Sequence, residues 1–247
     1  MESTLREEVR IFPDPEGLAR AAAAIFAGSA ERAIAGKGRF SVALSGGSTP
    51  LGLFRILGSA YGDTLRWEQV HLFWADERSV PPDHEESNFR HAHEELLSKV
   101  LIPASNIHRI RGELPPLEAA AGYAREMVSY FGTAGPPAFD CILLGLGQDG
   151  HTASLFPGSD GLKDTGHYAL PSYSGAAGNW RVTLTLAVLN NAAEILFLVS
   201  GAAKAGIVRE VLQKGQRDLY PAGSIRPSRG SITWLLDREA ASGLGAC

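Results

Sequence analysis

In the run Gly145-Leu146-Gly147-Gln148-Asp149-Gly150-His151-Thr152-Ala153-Ser154-Leu155-Phe156-Pro157-Gly158, a carboxylate and an imidazole stand two residues apart among glycines. An imidazole titrates near pH 6.5, about where a group must sit to move protons in neutral water. Glycines without Cβ atoms let backbone amides come close to a ligand. The run follows Phe139-Asp140-Cys141-Ile142-Leu143, whose apolar side chains read as a buried strand. Asp149 and His151 are therefore candidates for a reacting centre on a loop that leaves a sheet.

Gly145, Gly147 and Gly150 also spell the glycine pattern of dinucleotide-binding folds. Three features argue against that use. Asp149 would put a carboxylate beside a pyrophosphate. Phe156-Pro157-Gly158 ends the helix expected after the loop too early for a crossover of ~30 residues. No second strand ending in an acid follows where a ribose would be held.

Three further loops carry polar groups at strand ends. Ser45-Gly46-Gly47-Ser48-Thr49-Pro50 follows the apolar run 40–44 and precedes a helical stretch at 51–57. Free amides at a helix start, two glycines and several hydroxyls suit an anion. No Gly-Lys-Ser/Thr follows, so this is not a Walker loop, and a plain strand-to-helix turn is the alternative. Asp76-Glu77-Arg78 follows the strand 69–74. Three successive charges cannot all be buried cheaply. Alone they read as a solvated loop; beside the other polar loops they gain as part of a site. In Ser200-Gly201-Ala202-Ala203-Lys204 a lysine opens a helix, where it opposes the dipole unless an anion is bound.

The elements that must position these loops are legible from periodicity. Strands are expected at 9–12, 40–44, 69–74, 107–110, 139–143, 181–186, with Arg181 at its start, 194–199 and 231–236. Asp14 and Pro15 cap a helix running to 35, Ser87 caps one over 88–100, and others cover 117–131 and 205–214. Residues 132–137 read as a loop, 160–178 as a surface cover, and the tail beyond Asp237 as exposed. Strands alternate with helices and no linker divides the chain. The reading is one α/β domain over 1–247, with a mainly parallel, Rossmann-like sheet between two helical layers. Such a sheet gathers the loops after Leu44, Trp74, Leu144 and Val199 on one edge.

The 247 residues carry a formal net charge of −4, so no basic field exists to hold nucleic acid or an anionic membrane. The first residues lack the basic and apolar regions of a signal peptide, and no apolar run reaches membrane-spanning length. Cys141 and Cys247 are too few for a disulfide framework or a cysteine metal site, and a reducing cytoplasm fits best.

Taken together, Ser45-Gly46-Gly47-Ser48-Thr49-Pro50, Trp74-Ala75-Asp76-Glu77-Arg78 with Glu86-Ser87-Asn88, and the loop 145–158 resemble the 6-phosphogluconolactonase family. So do Arg181-Val182-Thr183-Leu184-Thr185, the stretch 201–205 and the stretch 230–237. The likeness runs nearly the whole chain in order. It implies a three-layer α/β/α fold shared with glucosamine-6-phosphate deaminase, ribose-5-phosphate isomerase and coenzyme A transferases. The deaminases usually carry a glutamate shortly after the histidine, whereas this chain has Ser154-Leu155-Phe156-Pro157. One departure from the family pattern is Gly178-Asn179-Trp180 before Arg181, where a proline-rich lead-in is common.

The resemblance implies a carboxylic ester hydrolase acting on 6-phospho-D-glucono-1,5-lactone in the pentose phosphate pathway. His151 is then expected as general base, with Asp149 orienting it or holding the water. Amides of Gly46, Gly47 and Gly147 are candidates for the oxyanion. Arg78, Arg181 and Lys204 are expected to bind phosphate, with Ser45, Ser48 and Thr49 adding hydrogen bonds. No metal or organic cofactor is implied, no nucleic acid or membrane partner is expected, and a monomer or weak homo-oligomer is anticipated. The alternatives are an amino-sugar-phosphate deaminase/isomerase and a non-catalytic sugar-phosphate-binding protein.

Overall fold

The structure, a computed structural model, describes residues 6–132, 135–213 and 217–245. Thr133 and Ala134 of the expected loop 132–137, Lys214 at the expected helix end, and Cys247 lie outside the described residues.

The chain begins with β1 (Arg6–Phe12) and α1 (Pro15–Lys37). Asp14 caps α1 by accepting from the Gly17 amide at 2.8 Å, and Gly38 ends it in the left-handed region. Next come β2 (Phe40–Leu44), α2 (Thr49–Ala60), β3 (Val70–Trp74) and β4 (Asp76–Arg78). Then follow α3 (Asn88–Glu95), α4 (Pro116–Phe131), β5 (Cys141–Leu144), β6 (Ala169–Ser174) and β7 (Asn179–Leu184). The chain ends with α5 (Leu186–Leu189), β8 (Glu194–Val199), α6 (Ala205–Leu212) and β9 (Ser231–Asp237).

Six strands form one parallel sheet in the order β1-β9-β8-β5-β2-β3. Its inner strands are mostly apolar and almost wholly buried, as expected of strands covered on both faces. Phe40 packs edge-on against Phe26 of α1, while Phe73 packs against Tyr123, Tyr130 and Phe131 of α4. Phe40 pairs with Val70 in register, so Phe73, three residues further along β3, faces the opposite side. The helices thus lie on both faces of a mostly parallel sheet, in three layers. No helix among the described residues is long and apolar enough to cross a membrane.

After β2 the chain moves to β3 on one side, and after α4 it returns to β5 on the other. The carboxyl ends of neighbouring β2 and β5 therefore form the point where the winding reverses, the place where open sheets of this type leave a crevice. The glycine turn after β2 and the histidine loop after β5 both emerge there.

Several expectations are corrected. The strand expected at 107–110 reduces to one bridge between Leu72 and Ile107. The helix expected over 88–100 ends at Glu95 and passes into a 3-10 turn at Leu97–Lys99. No helix follows Gly150: turns replace it, because Gly150 and even Ala153 adopt positive φ. The supposed surface cover 160–178 contains β6, which joins β4 and β7 in a second, antiparallel sheet ordered β4-β7-β6. The tail is not wholly exposed: Asp237, Ala240 and Ala241 are buried, and Asp237 accepts from the amides of Gly201 and Ala240.

Candidate active site

A cleft of about 390 Å³ opens at the carboxyl edge of the parallel sheet, a volume suited to one small ligand. Ser45, Gly46, Gly47, Ser48 and Thr49 line it from the turn after β2, and Gly147 and His151 from the loop after β5. Arg78 enters from β4, Arg181 from β7, and Lys204 from the 3-10 turn before α6. Residues spread over 160 positions of sequence thus meet in one concavity, as a parallel sheet dictates. Among the described residues no group of three or more His, Cys, Asp or Glu side chains is placed to hold a metal ion.

The histidine loop is held by its own backbone. The Gly147 amide donates to the His151 carbonyl at 2.8 Å, the Gly150 amide to the Gly147 carbonyl at 3.0 Å, and Thr152 Oγ1 to the Gly145 carbonyl at 2.9 Å. This corrects one expectation: the Gly147 N–H already serves His151 and is not available to an oxyanion. The glycine is instead needed for space, since a Cβ there would lie 2.1 Å from His151 Nδ1 and 2.6 Å from Asp149 Oδ1.

Asp149 does not line the cleft. Its Oδ1 lies 2.5 Å from His151 Nδ1 and accepts the His151 amide at 3.1 Å, a geometry that suits orienting the ring. Burial works to raise the Asp149 carboxyl, but the His151 amide and imidazole outweigh it and hold it below the usual carboxylate range. With Nδ1 facing a carboxylate, Nδ1 carries the proton and Nε2 is left as the basic nitrogen. The ring packs on Phe156 at 4.8 Å between centroids, and Arg181 Cζ lies 5.6 Å from the same Phe156 ring. One phenyl ring thus spaces base and cation.

The cations are held differently. Lys204 Nζ donates to the Leu146 carbonyl at 2.7 Å, tying the turn after β8 to the histidine loop. Burial lowers the Lys204 amine, while Asp149 works against the shift. Burial also lowers Arg181, with Asp76 opposing and Arg78 adding to the shift. Arg78 Nη1 donates to the Glu86 carbonyl at 2.6 Å. In the turn after β2, Gly47 needs its φ of 93°, and Thr49 Oγ1 lies 3.1 Å from Ser200 Oγ. Thr49 starts the twelve-residue α2, so the positive end of that helix faces the cleft.

The largest surprise is the burial of Asp76 and Glu77, which are 5% and 2% exposed rather than solvated. Their charge is satisfied by hydrogen bonds. Glu77 Oε1 accepts from the amides of Arg78 and Asn88, and Oε2 from the Phe89 amide and Ser87 Oγ, so the carboxylate caps the start of α3. Burial pushes the Glu77 carboxyl up, against those three amides. Asp76 Oδ2 accepts from Ser154 Oγ at 2.6 Å, and its Oδ1 and carbonyl accept from Asn88 Nδ2 at 3.3 and 2.9 Å. Asp76, Asn88 and Ser200 also line the cleft; Asp76 was expected only within its run as solvated or part of a site, and Asn88 and Ser200 were given no role from sequence. For Asp76 and Asn88 the available signal was their place in the strand-end motif and the Glu86-Ser87-Asn88 run; for Ser200, its place opening the turn after β8.

A family profile described as glucosamine-6-phosphate isomerases/6-phosphogluconolactonase matches residues 13–234. The chain is 37% identical over 244 residues to the 6-phosphogluconolactonase of Nostoc sp., covering 97% of this chain and 99% of that one. It is 42% identical over 217 residues to the 6-phosphogluconolactonase of Synechocystis sp., covering 86% and 88%. The solved structure of 6-phosphogluconolactonase from Trypanosoma brucei superposes with a TM-score of 0.89 at 30% identity, covering 98% of this chain and all of that one.

Proposed function

The chain belongs to the glucosamine-6-phosphate isomerase/6-phosphogluconolactonase family, and from that membership we propose how its cleft carries out the reaction. The enzyme hydrolyses 6-phospho-D-glucono-1,5-lactone to 6-phosphogluconate, a step of the pentose phosphate pathway. The observation that carries the assignment of roles is the convergence of His151, backed by Asp149, with Arg78, Arg181 and Lys204 around one cleft.

His151 Nε2 removes a proton from water as the water oxygen attacks the lactone carbonyl carbon. Charge developing on the carbonyl oxygen is met by the amides of Gly46 and Gly47. Collapse of the tetrahedral intermediate breaks the bond to the ring oxygen, which takes the proton back from the imidazolium. The new carboxylic acid then ionises to solvent. Asp149 is a positioning residue that keeps the proton on Nδ1 and stabilises the transient imidazolium. Arg78, Arg181 and Lys204 hold the phosphate, aided by Ser45, Ser48, Thr49 and the positive end of α2.

The residues after the histidine support hydrolysis over deamination. Where a deaminase carries its glutamate before the proline of that run, this chain has Phe156, whose ring lies 4.8 Å from the His151 ring, so the segment Ser154-Leu155-Phe156-Pro157 brings no carboxylate to the histidine. The same reading treats residues 1–247 as one lactonase domain, working as a monomer or weak homo-oligomer in a reducing cytoplasm, which suits its two cysteines. The test is to generate the lactone in situ and follow its loss, and to offer glucosamine 6-phosphate separately. Lactone loss well above the spontaneous rate without ammonia release is expected; ammonia release with no lactone acceleration would overturn the assignment.

A further inference from the structure

Gly46 raises a question that its backbone does not answer. It is not among the glycines with positive φ, unlike Gly47 beside it. Its need is for space: a Cβ at position 46 would lie 1.8 Å from Asn88 Oδ1, 2.3 Å from Asn88 Cγ and 2.7 Å from Asn88 Nδ2. The three nearest atoms all belong to one amide, so the turn after β2 lies directly on the Asn88 side chain.

That amide cannot turn over. Asn88 Nδ2 faces two acceptors, the Asp76 carbonyl and Oδ1, and only the NH2 end can satisfy them. Oδ1 is therefore fixed toward Gly46, buried and without a hydrogen-bond donor. An orphaned buried acceptor is costly to keep, which argues that its place matters more than its own satisfaction. From Asp76 the connection continues through Oδ2 to Ser154 Oγ, at the end of the segment that carries His151. Asn88 itself is anchored by its amide to Glu77 at 2.7 Å.

The geometry points to Asn88 as a positioning residue: through Gly46 on one side and Asp76–Ser154 on the other, it sets the spacing between the substrate-binding turn and the histidine loop. The inference rests on the lactonase reading of this cleft. A substrate held at its phosphate end and attacked at its carbonyl end is sensitive to that spacing, because a displacement of about 1 Å can cost on the order of 100-fold in rate.

The experiment is a double-mutant cycle with Gly46→Ala, Asn88→Ala and the two combined, read as kcat and KM on the lactone, with melting temperature recorded for each. Gly46→Ala is expected to lose on the order of 100-fold in kcat/KM, since its methyl and Oδ1 cannot share the space. Asn88→Ala removes the obstacle and is expected to lose on the order of 10-fold. The combined variant is expected to return to about the kcat/KM of Asn88→Ala alone, measured well below the melting temperature of every variant, so that relief of a packing clash in stability alone would leave the rates unmoved. If the two losses multiply in the combined variant, Asn88 does not act through Gly46 and the inference fails. A wild-type enzyme that leaves the lactone untouched would instead sink the lactonase reading, so the two failures are distinct.

Discussion

Arg78 and Arg181 stand directly opposite each other across the antiparallel β4–β7 ladder. Like charges in that relation repel, and burial adds to the cost at Arg181. Asp76 offsets part of it, yet it is already engaged by Ser154 and Asn88. Two forked cations side by side at a cleft fit the proposed role of holding a multiply charged anion, which would turn the repulsion into shared binding.

Removing one member of that pair is expected to weaken substrate binding without weakening the fold. Arg181→Ala is the cleaner variant, because Arg78 also holds the Glu86 carbonyl. Its KM is expected to rise on the order of 10- to 100-fold with a melting temperature equal to or above wild type. Arg181→Lys is expected to recover only part of the loss, since an ammonium cannot bind two oxygens in the plane of a fork. Steady-state kinetics and thermal melts check this; an unchanged KM in Arg181→Ala removes the residue from the phosphate site.

His151 and Asp149 are expected to fail in graded fashion. His151→Ala removes the proposed base, and kcat is expected to fall on the order of 100- to 10,000-fold toward the spontaneous rate. Asp149→Asn keeps the shape but loses the charge that fixes the ring, with kcat down on the order of 10- to 100-fold and KM little changed. The lowered Asp149 carboxyl stays ionised at neutral pH, and its support is lost only as pH falls through that lowered value. A His151→Ala enzyme that turns over as fast as wild type would show that another group takes the proton.

Much of the site was readable because its chemistry is local. A strand followed at once by glycines, hydroxyls or a cation identifies a loop at the sheet edge, and parallel topology brings such loops together. That logic placed Ser45 to Thr49, His151, Arg78, Arg181 and Lys204 around one cleft. What escaped is non-local. Asp76 taken alone read as solvated, and its burial could not be foreseen because its partners, Asn88 and Ser154, lie 12 and 78 positions away. Glu77 looked solvated because the amides that satisfy it belong mainly to the start of a helix not yet built. The strand β6 was hidden in a stretch rich in glycine and serine, where cross-strand pairing with β7 decides the conformation against weak local preference. Gly147 was read as an amide donor, but its N–H closes the loop on itself.

Lys204 gives the pH dependence its sign. Burial lowers its amine, so in the folded protein the proton leaves below the ordinary lysine value of 10.5. Between the lowered value and 10.5 the unfolded chain holds more protons, and this group's contribution to stability therefore rises with pH. In the proposed role of Lys204, phosphate binding runs the other way, because a dianion favours the ammonium form. Affinity for a simple phosphate competitor is expected to fall as pH climbs through that lowered value, with proton uptake on binding in the same range. Lys204→Arg keeps its charge throughout, so its affinity is expected to change less over that interval, whatever its absolute strength. Dissociation constants for inorganic phosphate measured from pH 7 upward decide it: parallel curves for wild type and Lys204→Arg mean that Lys204 does not titrate against the bound anion.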